Sequence, residues 1–305
     1  MKTVLCICTF RRPEGLRKLL ETLPNIDGTE NLEIVVADND SAGAGLAVCA
    51  ELTTQGYPFK LHTVPAGESS GISAARNAAC LKALTLHPEQ LAFLDDDEWP
   101  EQQWLTELLR VQQHCNADVV GGPTRPVFPQ GTELAVTVNP YYGADMALPD
   151  ETQCQLQAGG NFLIKADVLQ TLAPEFFNPA FAHSGGEDLA FFTQLHFRGH
   201  SMFWAANAIV HEPVPEARLQ EGWIRQRVVN IHNSRVRVMQ LMQPGLSHSL
   251  VRGLKTTVLG IVAVASTCLA WLGPKWSERA RQLRWKFQGK MSAHCGHATV
   301  RNESY

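Results

Sequence analysis

The sequence is poor in several things, and each shortage excludes a class of protein. Residues 1–217 hold only 12 Lys/Arg against 27 Asp/Glu. So acidic a body would repel a phosphate backbone, which argues against general nucleic-acid binding. There are eight cysteines, at 6, 8, 49, 80, 115, 154, 268 and 295, but no CxxC spacing. That pattern speaks against a zinc ribbon or disulfide framework and suits reduced thiols in the cytoplasm. The start, MKTVLCICTFRRP, lacks the charged lead, long apolar stretch and small-residue cleavage site of a secretory leader. No internal repeat or low-complexity tract is visible, and with 45% hydrophobic and 18% charged residues the chain is not disordered.

The cations missing from the body are collected near the end. Residues 218–290 hold 13 Lys/Arg against Glu221 and Glu278 alone, a net of +11 beside the −15 of the body. A phosphate-bearing or anionic-lipid surface is the partner such a segment suggests. Within it, residues 256–273 form an uncharged run of 18, near the lower limit for crossing a bilayer and equally suited to a buried or interfacial helix. Lys and Arg flank the run on both sides and mix with Trp271, Trp276 and Trp285, a pattern that favours a helix lying on anionic lipid over a single span. A helical cap packed on the body is the other reading.

Before residue 217 the pattern is strand, loop, helix, repeated. Apolar runs at 4–8, 32–38 and 91–97 read as strands covered on both faces, with a shorter strand at 60–65. Helical spacing follows at 13–23, 44–55 and 72–86, the last opened by Ser69, Ser70 and Gly71. Residues 117–128 read as a strand broken by Pro123 and Pro126, and 129–157 as a loop-rich segment. Strand-then-helix at 158–169, a helix at 185–199 and a final strand pair ending in His211 complete the body. The alternation predicts an α/β fold with a mostly parallel open sheet flanked by helices, and a ligand beyond the carboxyl ends of its strands. Thr9 to Arg12, Asp38 to Ser41 and Asp95 to Glu98 all fall there.

Three consecutive aspartates at a strand end are poor core material, because buried carboxylates repel and desolvate badly. A hard divalent cation or a polar ligand would relieve them, as would a solvated turn. The ordered series CTFRRPEGLRKLLETL, VVADNDS, GISAARNAA, FLDDDEWP, AGGNFLIKADVL and GGEDLAFFTQL resembles the family 2 glycosyltransferases of GT-A fold over about residues 3–215. The stretch that follows, HEPVPEARLQEGWIRQRVVNIHNSR, is similar to the succinoglycan-type exopolysaccharide glucosyltransferases.

The resemblance implies a catalytic domain over 1–217 and a basic helical extension over 218–305. It also implies transfer of a sugar, with inversion, from a nucleotide-sugar donor such as a UDP-sugar to a glycan or polyprenyl-linked glycan. The work would be done at the inner face of the cytoplasmic membrane, with Mn2+ or Mg2+ and no nucleic acid. Thr9, Phe10 and Arg11 would meet the nucleotide. Asp38 would accept from its base, with an Asx turn as the other reading. Arg76, on an alanine-lined helix, would reach base or phosphate, or else make a salt bridge. Asp95 would hold the ribose and Asp97 the metal, with Asp96 facing the opposite way. His211 would join the metal or simply pack. Asp188, beside Glu187 at a helix start that also favours carboxylates for dipole reasons, would be the general base. Gly159, Gly160 and Asn161 would line the floor, and Arg218, Arg225 and Arg227 would grip the diphosphate or face a membrane. The rival functions are a sugar-nucleotide pyrophosphorylase, whose glycine-rich loop is missing from Thr9 to Pro13, and a non-catalytic nucleotide- or glycan-binding scaffold.

Overall fold

The computed structural model describes residues 1–299 apart from 66, 68–70, 144–145, 270 and 272. Ser69 and Ser70, expected to open a helix, lie outside the described residues.

The apolar runs become strands because alternate side chains feed two separate cores. In β1 (Thr3–Thr9), Val4 and Cys6 enter one hydrophobic cluster while Leu5 and Ile7 enter the other. Helix α1 (Pro13–Thr22) starts on Pro13, whose fixed φ suits a first helical turn, and buries Leu16, Leu19 and Leu20. The unit repeats through β2 (Leu32–Asp38), α2 (Ala44–Thr54), β3 (Lys60–Val64), α3 (Ile72–Leu84) and β4 (Gln90–Asp95). Next come β5 (Trp99–Pro100), α4 (Trp104–His114), β6 (Val119–Gly121), β7 (Thr124–Val127), the short α5 (Leu134–Thr137) and β8 (Thr152–Gln153). The body closes with β9 (Asn161–Lys165), α6 (Ala166–Gln170), α7 (Glu187–Phe197), β10 (Met202–Trp204) and β11 (Val210–Pro213). Three long helices follow, α8 (Glu221–Met242), α9 (Leu246–Cys268) and α10 (Pro274–His294).

The main sheet has the order β3-β2-β1-β4-β9-β6-β10-β8. Strands β1 to β4 are parallel, β9 runs antiparallel between β4 and β6, and β8 is antiparallel to β10. A second sheet, β5-β11-β7, lies over the carboxyl ends. The stretch expected as one broken strand at 117–128 is therefore two strands in two sheets. The turn Gly122–Pro123 makes the switch, and Pro126 is tolerated because β7 is an edge strand. His211 sits inside β11 opposite Trp99, and the strand runs on to Pro213.

Register decides where the chemistry falls. Thr9 pairs with Asp38 and Cys8 with Asp95, so three strand ends deliver their polar residues to a single edge. Helix α8 packs against α7 and η-type turn Glu216–Leu219, while α10 packs along both α8 and α9.

Candidate active site

The edge formed by β1, β2 and β4 is lined by carboxylates held by two arginines. Thr9, buried at the end of β1, donates its hydroxyl to Asp96 at 2.7 Å. Arg12 donates to Asp96 at 3.1 Å and to Asp97 at 2.7 Å. Burial pushes the Asp96 carboxyl up to about 6, against the pull of Arg12 and Thr9. Burial also raises Asp97, with Arg12 opposing it and Glu212 and Asp95 adding to the rise. On the other side of Asp97, Arg218 approaches to 3.9 Å and is itself fixed by Glu212 at 2.5 Å.

The sequence left Arg76 to a base or phosphate or else to a salt bridge; the structure has the ion pairs, with the side chain enclosed rather than on the surface. It is 4% exposed, contacts Asp95 at 3.2 Å and Glu187 at 3.4 Å, and pairs with Asp188. Burial works against its charge, but Asp95 and Glu187 outweigh that and hold its pKa above the ordinary value. The alanines at 75 and 79 on α3 are packed into the core, and that packing turns Arg76 inward toward α7. Arg76 thus links the end of β4 to the first turn of α7.

Two glycines shape the floor. A Cβ on Gly159 would lie 2.5 Å from an Asp188 carboxylate oxygen, and one on Gly160 would lie 2.5 Å from Glu98. Gly185 and Gly186, at φ 73° and 98°, make the left-handed turn that begins α7 and presents Glu187 and Asp188. Asn161 is structural: it accepts from the Trp104 indole at 2.8 Å and donates to the carbonyls of Pro123 and Ala208.

Several expected roles take a different form. The Asp38 carboxylate accepts from the backbone N–H groups of Asp40, Gly45 and Leu46, so it holds its own turn and the start of α2. The hydroxyl of Thr9 is engaged by Asp96, which leaves Phe10 and Arg11 as the accessible part of that loop. Phe10 is 38% exposed with the Arg11 guanidinium 4.8 Å above its ring, and Arg11 lies 3.7 Å from Asp40. His211 bonds Glu101 at 2.9 Å and stacks on Trp99. Asp96, expected to face away, is buried and joined to Thr9 and Arg12. Cys8 lies beside Arg76 and Asp95, but burial pushes its thiol up to about 12, so it is no nucleophile.

Glu98 was missed as a site residue. Fully buried behind Asp95, it accepts from the Asp95 N–H at 3.0 Å and from Thr124 at 3.4 Å. Burial, then Asp95 and Glu212, push its carboxyl well above the ordinary range. Its signal was the fourth acid in DDDE, directly before the small sheet that covers it.

Asp97, the residue expected to hold a metal, is paired with Arg12 and flanked by Arg218. Asp97 offers carboxylate oxygens with Glu212 close by, although among the described residues no group of three or more His, Cys, Asp or Glu converges. A Mg2+-like ion needs only one or two carboxylates when a substrate's phosphates and water complete its shell.

The glycosyl transferase family 2 model matches residues 4–173. The chain belongs to that family. Succinoglycan biosynthesis protein ExoM of Rhizobium meliloti (strain 1021) is 34% identical to this glycosyltransferase over 225 residues, 72% of the chain and 70% of ExoM. Its fold is also that of solved glycosyltransferases. The mannosyltransferase PcManGT from Pyrobaculum calidifontis, in complex with GDP-Man and Mn2+, superposes with a TM-score of 0.66 at 15% identity, covering 96% of this chain and 87% of that one. S. aureus TarS 1-349 in complex with UDP-GlcNAc gives 0.55 at 14% identity, covering 97% and 93%. The GT-A architecture expected from the sequence is the one observed.

Proposed function

We propose that this glycosyltransferase moves a sugar, with inversion, from a nucleotide-diphosphate sugar, a UDP-sugar in the first instance, to a lipid-linked glycan during bacterial exopolysaccharide assembly. One observation carries the reading: Asp188 stands on the glycine-bordered floor, tied through Arg76 to Asp95 at the end of β4. A base on α7 and a donor held at the β4 end would then face each other across one cleft.

Asp188 takes the proton of the acceptor hydroxyl as that oxygen bonds to the anomeric carbon. The bond from that carbon to the diphosphate breaks on the opposite face, and the diphosphate leaves with the electron pair. One displacement inverts the centre. Arg76 pairs with Asp188 and holds its carboxylate in place. Phe10 and Arg11 offer a stacking face and a cation to the nucleotide, and Asp95 holds the ribose. Mn2+ or Mg2+ held by Asp97 would stabilise negative charge on the departing diphosphate. Arg12 and Arg218 position the Asp97 carboxylate for that role.

Attachment to the inner face of the cytoplasmic membrane belongs to the same reading. Helix α9 is long and apolar enough to cross a bilayer by length and composition, and Leu250, Leu254, Val258, Ile261 and Val264 are each more than half exposed. Helix α10 packs along it, with Phe287 against Gly260 and His294 at 3.1 Å from Thr256. Because α10 carries six cations, it cannot follow α9 into hydrocarbon, so the pair lies on the surface.

Transfer assays with Asp188→Asn and Asp97→Ala test the chemistry. Asp188→Asn retains nucleotide binding and loses transfer by about 10²–10⁴-fold; Asp97→Ala loses the Mn2+-dependent part of nucleotide binding. Undiminished turnover in either overturns its assignment.

A further inference from the structure

Away from the strand-end site, the three C-terminal helices gather cations and hold only two acids, Glu221 and Glu278. Lys290 of α10 is pulled below its ordinary value by burial and by Arg235 of α8, Lys255 of α9 and Lys286 of α10. His232, on the same helix as Arg235, is pushed down to about 4 by burial and then by Arg235, Lys286 and Lys290. Glu221 and Glu278, the only acids of the basic segment, both pair with Arg281. Among the described residues, none of Arg235, Lys255, Lys286 and Lys290 has a carboxylate partner. His232 is 9% exposed, and its Nδ1 is buried without a hydrogen-bond partner. Half-buried Lys286 and Lys290, with exposed Arg235 and Lys255 near them and an unsatisfied ring nitrogen alongside, put like charges together that a group of opposite charge would relieve.

The cluster borders the turn that presents Asp188. Ser234 donates to the Gly185 carbonyl at 3.0 Å, in the turn that presents Glu187 and Asp188. Its neighbour Arg235 donates to Gln157 at 2.8 Å, two residues before the glycine that touches Asp188. The exposed apolar face of α9 runs past Lys255, with Leu254 and Val258 on either side of it in sequence.

We propose that the junction of α8, α9 and α10 binds the diphosphate of a polyprenyl-linked acceptor, with Arg235, Lys255, Lys286 and Lys290 as its counter-charges. The lipid would continue along α9 and the glycan toward Asp188. This rests on the glycosyltransferase reading but is tested without turnover.

Farnesyl diphosphate is titrated calorimetrically into the full-length protein, with UDP and Mn2+ saturating the donor site. Farnesol and phosphatidylglycerol vesicles serve as parallel ligands. Farnesyl diphosphate binds and farnesol does not, and the double variant Lys286→Gln, Lys290→Gln weakens the diphosphate at least tenfold. The same variant relieves repulsion and melts no lower than the parent, so lost binding is not lost folding. An affinity within twofold of the parent overturns the proposal. Complete displacement by UDP does too, since the ligand is then in the donor site. Equal sensitivity of phosphatidylglycerol vesicles to the substitutions also overturns it, because the cluster is then a general membrane contact. Absence of sugar transfer alone would count against the proposed function and leave this binding result standing.

Discussion

Arg76 on α3 and Asp188 on the first turn of α7 form an ion pair enclosed between two elements far apart in sequence. Asp95 and Glu187 meet the same guanidinium, so one buried cation offsets three carboxylates.

Removing it leaves Glu187 and Asp188 facing each other with little water, and Asp95 at the exposed edge. Arg76→Ala is expected to lower unfolding stability by about 3–5 kcal/mol, the usual cost of breaking a buried pair on one side. Urea denaturation measures this. Arg76→Lys recovers part of the stability, because it restores charge without the planar fork that spans the acids.

Asp96 gives stability a definite slope with pH. Its carboxyl rises from the ordinary 3.8 to about 6 in the fold, so between those values the native state holds more protons than the unfolded chain. Its contribution is therefore complete below about pH 4 and is lost as pH rises through about 6, on the order of 3 kcal/mol. Asp96→Asn flattens this part of a melting-temperature profile taken from pH 4 to 7.

Gly159→Ala separates activity from stability. The added methyl meets the free end of a side chain, so the fold yields by moving the Asp188 carboxylate. A displacement near 1 Å costs roughly 10²-fold in rate. Turnover should fall on that scale while the melting temperature stays within a few degrees.

The exposed face of α9 can be probed by charge. Ile261→Asp places a carboxylate among apolar side chains and beside anionic lipid. Flotation with phosphatidylglycerol vesicles is expected to drop several-fold, with soluble-phase sugar transfer as the control for folding.

The sequence was most readable where a physical constraint is local. Strands β1, β2 and β4 had to be continuous apolar runs because both faces are covered, and parallel pairing then aligned their polar ends. The acids from Asp95 to Glu98 could be placed at a strand end for that reason, while the separate roles of Asp95 and Asp97 came from the family resemblance. What local pattern does not carry is who meets whom over a hundred positions. The alanines around Arg76 suggested a free guanidinium, but Glu187 and Asp188 lie 111 and 112 residues on. Glu98 read only as the last of a polar run after a strand, because its contacts with Thr124 of β7 and Glu212 of β11 are made at long range. The break at Gly122–Pro123 marked an interruption, yet only the closing of the second sheet makes it a change of sheet. Asp38 illustrates the opposite case: its turn-forming alternative was visible in the ADND stretch, and that is the geometry its carboxylate adopts.

Direct contacts join the chain on either side of residue 217, the boundary expected between the catalytic part and the basic extension. Tyr142 stacks on Trp223 with ring centroids 5.6 Å apart and donates its hydroxyl to the Arg218 carbonyl, and Ser234 braces the turn ahead of Asp188. A chain ending there would lose the ring that Tyr142 stacks on and the hydroxyl that braces the turn ahead of Asp188, so α8 supports from outside the very turn that presents the carboxylate.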